Sequence, residues 1–329
     1  MKHKFIFSSF IVIFLLLFFL VSKTSVIADS SPTVDLYHLT YSYYREDWPI
    51  IYDNKVYWTD SRGGVYGYDF AANTEFLLID SSVLTDFFAA IGYDGRFLVY
   101  NTYDGVFYNV KAYDFEQYKI ITVTEGIGSK VASDLDDKVV TYIDGGACGK
   151  LYAYDLLSGE RKLITEQVCN TANIDHRFIV WGYAVPNGSG IFGYDLKTDI
   201  KYDIAVGPGY RSSPDILKNR IIWSINNNEN AEVYIYNLKT HEEELLYSSP
   251  NYWISWPSIS NRYAVWGKNT SQHVSGVEGI DLKTGQVFEI QEQGQHQNDN
   301  MSVIIEGNIA AWMAWRTGNG DIYAAVINH

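Results

Sequence analysis

One short phrase recurs down this chain. "KVYW" ends at Trp58, "FLVY" at Tyr100, "VVTY" at Tyr142, "FIVW" at Trp181, "RIIW" at Trp223, "YAVW" at Trp266 and "IAAW" at Trp312. The intervals are 42, 42, 39, 42, 43 and 46 residues. A second phrase keeps step with it: "YGYDF", "KAYDF", "YAYDL", "FGYDL", "YIYNL" and "EGIDL" put Asp69, Asp114, Asp155, Asp195, Asn237 and Asp281 at one slot. A unit of about forty residues cannot bury its apolar surface alone, so it must pack against its own copies. Seven copies at this period predict a β-propeller with one repeat per blade.

The local chemistry predicts four strands per repeat. A short first strand ends at a turn such as "YDNK", "LDDK", "DHR" or "SNR", rich in the Asx and Gly that tight turns use. The Trp/Tyr strand then runs apolar at consecutive positions ("RFIVW", "RIIWS"), as a strand covered on both faces does. The "YDL" strand follows a loop of variable length, and "DLKTG" or "DLLSG" turns into an outer strand such as "QVFEI". The expected fold is therefore all-β: seven four-stranded antiparallel blades. The Trp slot reads as packing between blades. The Asp slot reads as a carboxylate accepting backbone N–H groups in its turn. The seventh repeat stops after a third strand, "DIYAAVI", and the unclaimed segment "TVDLYHLT", Thr33 to Thr40, resembles the missing outer strand. It is expected to complete the last blade and close the ring.

The chain ends and composition narrow the setting. "MKHKFIFSSFIVIFLLLFFLVSK" and the following "SVIADS" read as a secretory signal peptide over residues 1–28, leaving one domain over 29–329. No apolar run of spanning length recurs, so no membrane insertion is expected after cleavage, and a secreted or cell-surface monomer is expected. Losing those residues removes three lysines and no acid, taking the formal charge from −14 to about −17. So acidic a surface, without a basic cluster, excludes nucleic acid as a partner. The two cysteines, Cys148 in an inner loop of repeat 3 and Cys169 in the connection to repeat 4, are expected to form a disulfide in an exported protein. With no spaced histidine pair beside them, no metal and no cofactor are expected.

The repeat resembles the TolB-like, WD-repeat-like β-propellers of exported bacterial and archaeal proteins. "PIIYDNKVYWTDSRGGVYGYDF" and "PSISNRYAVW" carry the resemblance best, with Pro49, Pro214 and Pro257 each nine residues before their Trp. Repeats 2 to 4 lack the proline, and only repeat 1 keeps a D-x-R-x-G loop, at Asp60, Arg62 and Gly64. The resemblance implies the architecture. Its members include partner-binding modules, surface proteins and carbohydrate-active domains, so function must be argued from the site.

Variation concentrates in the loops between second and third strands and between blades, which marks one face as the working face. No GxSxG, HExxH, P-loop or GxGxxG is present. Aromatic rings stack on sugar C–H faces while amides and charges serve the hydroxyls. Residues just before the innermost strands should line the channel: Arg45 and Asp47 in blade 1, Arg211 in blade 5, Tyr252 and Trp253 in blade 6, His296 and Gln297 in blade 7, with Arg316 from a neighbouring loop. The same slot in blades 2 to 4 reads "DFFAA", "VASDL" and "NTANI", which is poorer in such groups, so a ligand is expected off-axis toward blades 5 to 7 and 1. The leading reading is a non-catalytic binding module for a glycan or an extracellular partner protein. The alternative is a polysaccharide lyase that recruits His296, Tyr252 and Arg316 for β-elimination.

Overall fold

The computed structural model describes residues 31–40, 46–146, 148–169, 171–227, 230–270, 275–294, 302–314 and 320–328. They form a seven-bladed β-propeller of four-stranded antiparallel sheets. In blades 1 to 6 the strands are stacked in chain order, and the first strand of each blade borders the central channel. Those first strands are Glu46–Tyr52, Phe87–Tyr93, Lys130–Asp136, Ala172–Asp175, Tyr210–Leu217, Trp253–Ile259 and, in blade 7, Ile304–Glu306.

The seventh blade takes its outer strand from the N-terminal side. Thr33–His38 pairs antiparallel with Asp321–Asn328, from Thr33 opposite Asn328 to His38 opposite Tyr323. Side chains secure both ends of the seam. Asn328 Nδ2 donates to Asp35 at 2.8 Å, and Ile322 N–H donates to Thr40 Oγ1 at 2.9 Å. His38 stacks on Tyr323 with ring centroids 4.2 Å apart, and its Nε2 lies 3.2 Å from the buried Asp321 carboxylate. Closure abolishes an unpaired edge that a propeller would otherwise expose.

The repeated aromatic does what its spacing requires. Trp58, Trp181, Trp223, Trp266, Trp312, Tyr100 and Tyr142 are all fully buried, each in an apolar cluster at a boundary between blades. The repeated Asp caps its turn: Asp69 accepts the N–H groups of Ala71 and Ala72 at 2.9 and 3.0 Å, and Asp281 those of Lys283 and Thr284 at 2.8 and 3.3 Å. Each carboxylate also meets a cation from the turn before the second strand. Lys55 pairs with Asp69, Arg96 with Asp114, Lys138 with Asp155, Arg177 with Asp195 and Arg262 with Asp281, at 2.9 to 3.5 Å. Blade 5 carries Asn237 in place of the Asp, and there the cation too is replaced: Asn219 Nδ2 donates to Asn237 Oδ1 at 2.9 Å. An arginine facing a neutral amide would lack its counter-charge, so the two positions change together.

Neighbouring blades are also latched by side chains that accept a main-chain N–H of the next first strand. Thr59 takes Ala90, Asn101 takes Ala132, Ser133 takes Ala172 and Ser189 takes Arg211, at 2.5 to 2.9 Å. Asn226 both accepts from Ile254 N–H at 2.9 Å and donates to its carbonyl at 2.8 Å, mimicking a strand partner. Carboxylates act as acceptors in the same way: Asp134 of blade 3 accepts from Ile174 N–H, and Asp215 of blade 5 accepts from Ile259 N–H and the Ser258 hydroxyl. Burial pushes the Asp134 carboxyl up to about 7, helped by the charges of Asp215 and Asp136, and burial raises Asp215 likewise.

The disulfide joins Cys148 and Cys169, but its setting differs from the expected pair of loops. Both cysteines lie in strands, Cys148–Asp155 and Arg161–Cys169, directly opposite one another with Cα atoms 4.1 Å apart. The strands of blade 3 run further than the repeat pattern indicates, so the bridge staples the working-face end of one blade.

Candidate functional site

The working face carries the loops between second and third strands and the connections between blades. Among the residues expected to line a site there, Arg45, His296, Gln297 and Arg316 lie outside the described residues. Asp47 is placed by its backbone alone, opposite Thr59. Arg211, Tyr252 and Trp253 are described in full.

Trp253 opens the first strand of blade 6 and Tyr210 opens that of blade 5. Their rings lie 6.4 Å apart at an interplanar angle of 32°, and both residues remain about half exposed, at 49% and 48%. Two large rings from adjacent blades thus form a broad apolar surface beside the channel. Arg211, next in sequence to Tyr210, is turned inward on its own loop: Nη1 donates to the Pro208 carbonyl at 2.7 Å. Tyr252 covers the buried Lys268, whose ammonium lies 5.5 Å from its ring centroid. Lys268 in turn pairs with Glu289 at 2.7 Å and Glu278 at 3.3 Å. The structure therefore brings Trp253 together with Tyr210, while Arg211 and Tyr252 make contacts that hold their own blades.

The three prolines have a definite structural role. Between Asp47 and Ile50, Ser212 and Asp215, and Ser255 and Ser258, the first strand carries one residue more than its partner. Such a bulge leaves one residue unpaired, and proline has no N–H to leave stranded. The residue before each proline, Trp48, Ser213 and Trp256, has a positive φ of 57, 51 and 48°. Non-glycine residues seldom adopt that conformation, and bulges of this kind re-aim side chains near sites. Trp48 is accordingly exposed beside the channel in blade 1. The readable signal is the residue before the proline nine positions ahead of the Trp.

Blade 2 is richer than its sequence slot indicates. Phe88, Tyr103 and Tyr108 pack together with centroids 4.8 to 6.3 Å apart, and Phe88 and Tyr103 are nearly half exposed. Phe88 belongs to "DFFAA", but the two tyrosines come from the next hairpin, which the slot by itself does not show.

A polar cleft of about 280 Å³ opens at the boundary of blades 2 and 3. Thr122, Val123, Thr124 and Glu125 form one wall, and Lys130, Tyr142, Asp144 and Arg161 form the other. Arg161 lies over the Tyr152 ring, 5.3 Å from its centroid, and lines the cleft with Tyr142. Burial raises the Tyr142 phenol above its usual range, and Arg161 opposes that rise. Nothing in the sequence reading singled out Arg161, because it sits on an outer strand that the repeat assigns to scaffold.

No family model and no curated protein sequence matches the chain. Solved structures do. An oligogalacturonate lyase in complex with manganese aligns over 91% of this chain and 97% of its own, with TM-score 0.64 and 11% identity. The β-propeller domain of the Trilobed protease from Pyrococcus furiosus aligns over 87% and 94%, with TM-score 0.62 and 11% identity. That domain has an open velcro topology, whereas here the N-terminal strand closes the seventh blade. TolB from Acinetobacter baumannii aligns over 83% and 76% at 14% identity, and its TM-score of 0.49 is too low to carry an argument. At these identities the likenesses establish the propeller fold and nothing about chemistry.

Proposed function

We propose that this protein is an exported TolB-like propeller that acts as a non-catalytic binding module, taking a glycan on its working face. The signal-like residues 1–28 and the Cys148–Cys169 disulfide support the extracytoplasmic setting. The observation that carries the ligand class is the half-exposed pair Tyr210 and Trp253. Two exposed rings side by side offer a stacking surface, and sugar rings present flat C–H faces that suit it. An extracellular protein partner would use the same rings as a hot spot.

The test is a glycan array probed with the propeller and with Trp253→Ala. One glycan class should be retained by the native protein and lost by the variant. Trp253 is half exposed, so the variant should melt within about 2 °C of the native protein. If no glycan is retained, the glycan reading fails. If Trp253→Ala unfolds the protein as a core substitution does, Trp253 is packing and the site is elsewhere.

A further inference from the structure

The cleft between blades 2 and 3 exists because one repeat departs from the pattern. Where most blades place Trp, blade 3 places Tyr142, paired across its sheet with Tyr152. In blade 4 the corresponding Trp181 fills its boundary, and Lys201 lies over it at 5.4 Å. Blade 2 also has a tyrosine, Tyr100, but there Phe87 packs against it at 5.7 Å and takes up the space. In blade 3 the working-face end of the first strand carries Lys130 instead. Its ammonium is drawn away by the carbonyls of Glu125, Gly126, Ile127 and Gly128, at 2.7 to 3.4 Å. A shorter ring and a diverted lysine together leave the cleft open.

The lining then specifies a ligand class. The Arg161 guanidinium has no carboxylate partner among the described residues, and neither Glu125 nor Asp144 is in an ion pair among them. Lys130 is already satisfied by its four carbonyls. Two carboxylates repel an anion, and the guanidinium repels a cation. A neutral polyol meets both, because each hydroxyl donates one hydrogen bond and accepts another. Acceptors come from Glu125 and Asp144, and donors from Arg161, Thr122 and the Tyr142 hydroxyl. The volume lies just below the roughly 300–1,000 Å³ of ordinary small-ligand sites, enough for one ring and not for an oligomer. We propose that this cleft holds a single neutral pyranose residue, at a site separate from the Tyr210–Trp253 surface.

The experiment is saturation-transfer NMR on the native protein with methyl α-glucoside, methyl α-mannoside and methyl α-galactoside, each titrated alone. At least one should bind with an affinity in the millimolar range expected for so small a ligand. Arg161→Ala removes a donor from an exposed side chain and should weaken that binding about tenfold or more, a loss near 1.4 kcal/mol. Tyr142→Trp introduces the residue that most blades carry, fills the cleft and should abolish binding. Trp253→Ala should leave it unchanged. Circular dichroism confirms that each variant is folded, and Arg161→Ala decides alone if Tyr142→Trp is not. Absence of binding for all three glycosides overturns the proposal. So does binding whose affinity is unchanged in Arg161→Ala. Binding lost in Trp253→Ala but kept in Arg161→Ala moves the sugar to the blade 5–6 surface: that overturns the cleft and upholds the function proposed above.

Discussion

Trp223 and Trp312 occupy the same slot in blades 5 and 7, are equally buried, and stack alike on Tyr234 and Tyr323. They differ at one atom. Trp312 Nε1 donates to Gln291 Oε1 at 2.9 Å, while Trp223 Nε1 has no acceptor among the described residues. Replacing each by Phe removes the same ring volume from a similar apolar cluster, so the transfer and cavity costs should largely cancel in the comparison. What remains is the polar difference. Trp312→Phe breaks a hydrogen bond and strands the buried Gln291 amide, a cost of about 1–3 kcal/mol. Trp223→Phe removes a donor that was already unpaired, so it carries no such cost. Trp312→Phe is therefore expected to be the more destabilising by about 1–3 kcal/mol. The assay is equilibrium guanidinium unfolding of both variants, compared where the slopes agree. If Trp223→Phe costs as much as Trp312→Phe, the polar accounting is wrong and ring volume alone governs the slot.

Deleting residues 33–38 leaves Asp321–Asn328 as an open edge, and calorimetry should show loss of the single cooperative transition, with aggregation on size exclusion; a truncated protein that melts as the full one does refutes the closing role. The paired change Cys148→Ala and Cys169→Ala opens a loop of 21 residues and should lower stability by roughly 3 kcal/mol in denaturant unfolding, with no change attributing the hold to strand pairing instead. Asp134 has a folded pKa of about 7 against an ordinary 3.8, so its charged form disfavours the fold: stability should rise as pH falls from 8 toward 5, by up to roughly 1.4 kcal/mol per unit below 7. Asp134→Asn should flatten that rise, and an unchanged slope refutes the assignment. Below about pH 4 the trend should reverse. The Asp69 carboxyl is held low foremost by the Ala72 N–H, and Asp281 is held low, against its burial, by backbone N–H groups and Arg262.

Much of this architecture is legible in the chain because its causes are local. The period of the Trp/Tyr phrase sets the number of blades, and the continuous apolar runs identify strands covered on both faces. A turn-capping Asp is readable because its acceptor role depends only on residues two and three positions ahead. The closing strand was readable too, since the last repeat lacked a partner and the first segment lacked a blade. The disulfide partners followed from there being only two cysteines, but their place in paired strands did not, because it depends on how far the third and fourth strands of blade 3 stay paired.

The binding surfaces depended on the tertiary structure. Tyr210 and Trp253 are 43 residues apart, and only the packing of blade 5 on blade 6 sets their rings side by side. Trp48 and Trp256 take their direction from bulges, whose extra residue shows only against a partner strand. Arg161 looked like scaffold until Tyr142 left room beside it. A repeat states in sequence what every blade shares. The working surface arises where one blade fails to fill the space its neighbour leaves, and that is settled by contacts across the boundary, not along the chain.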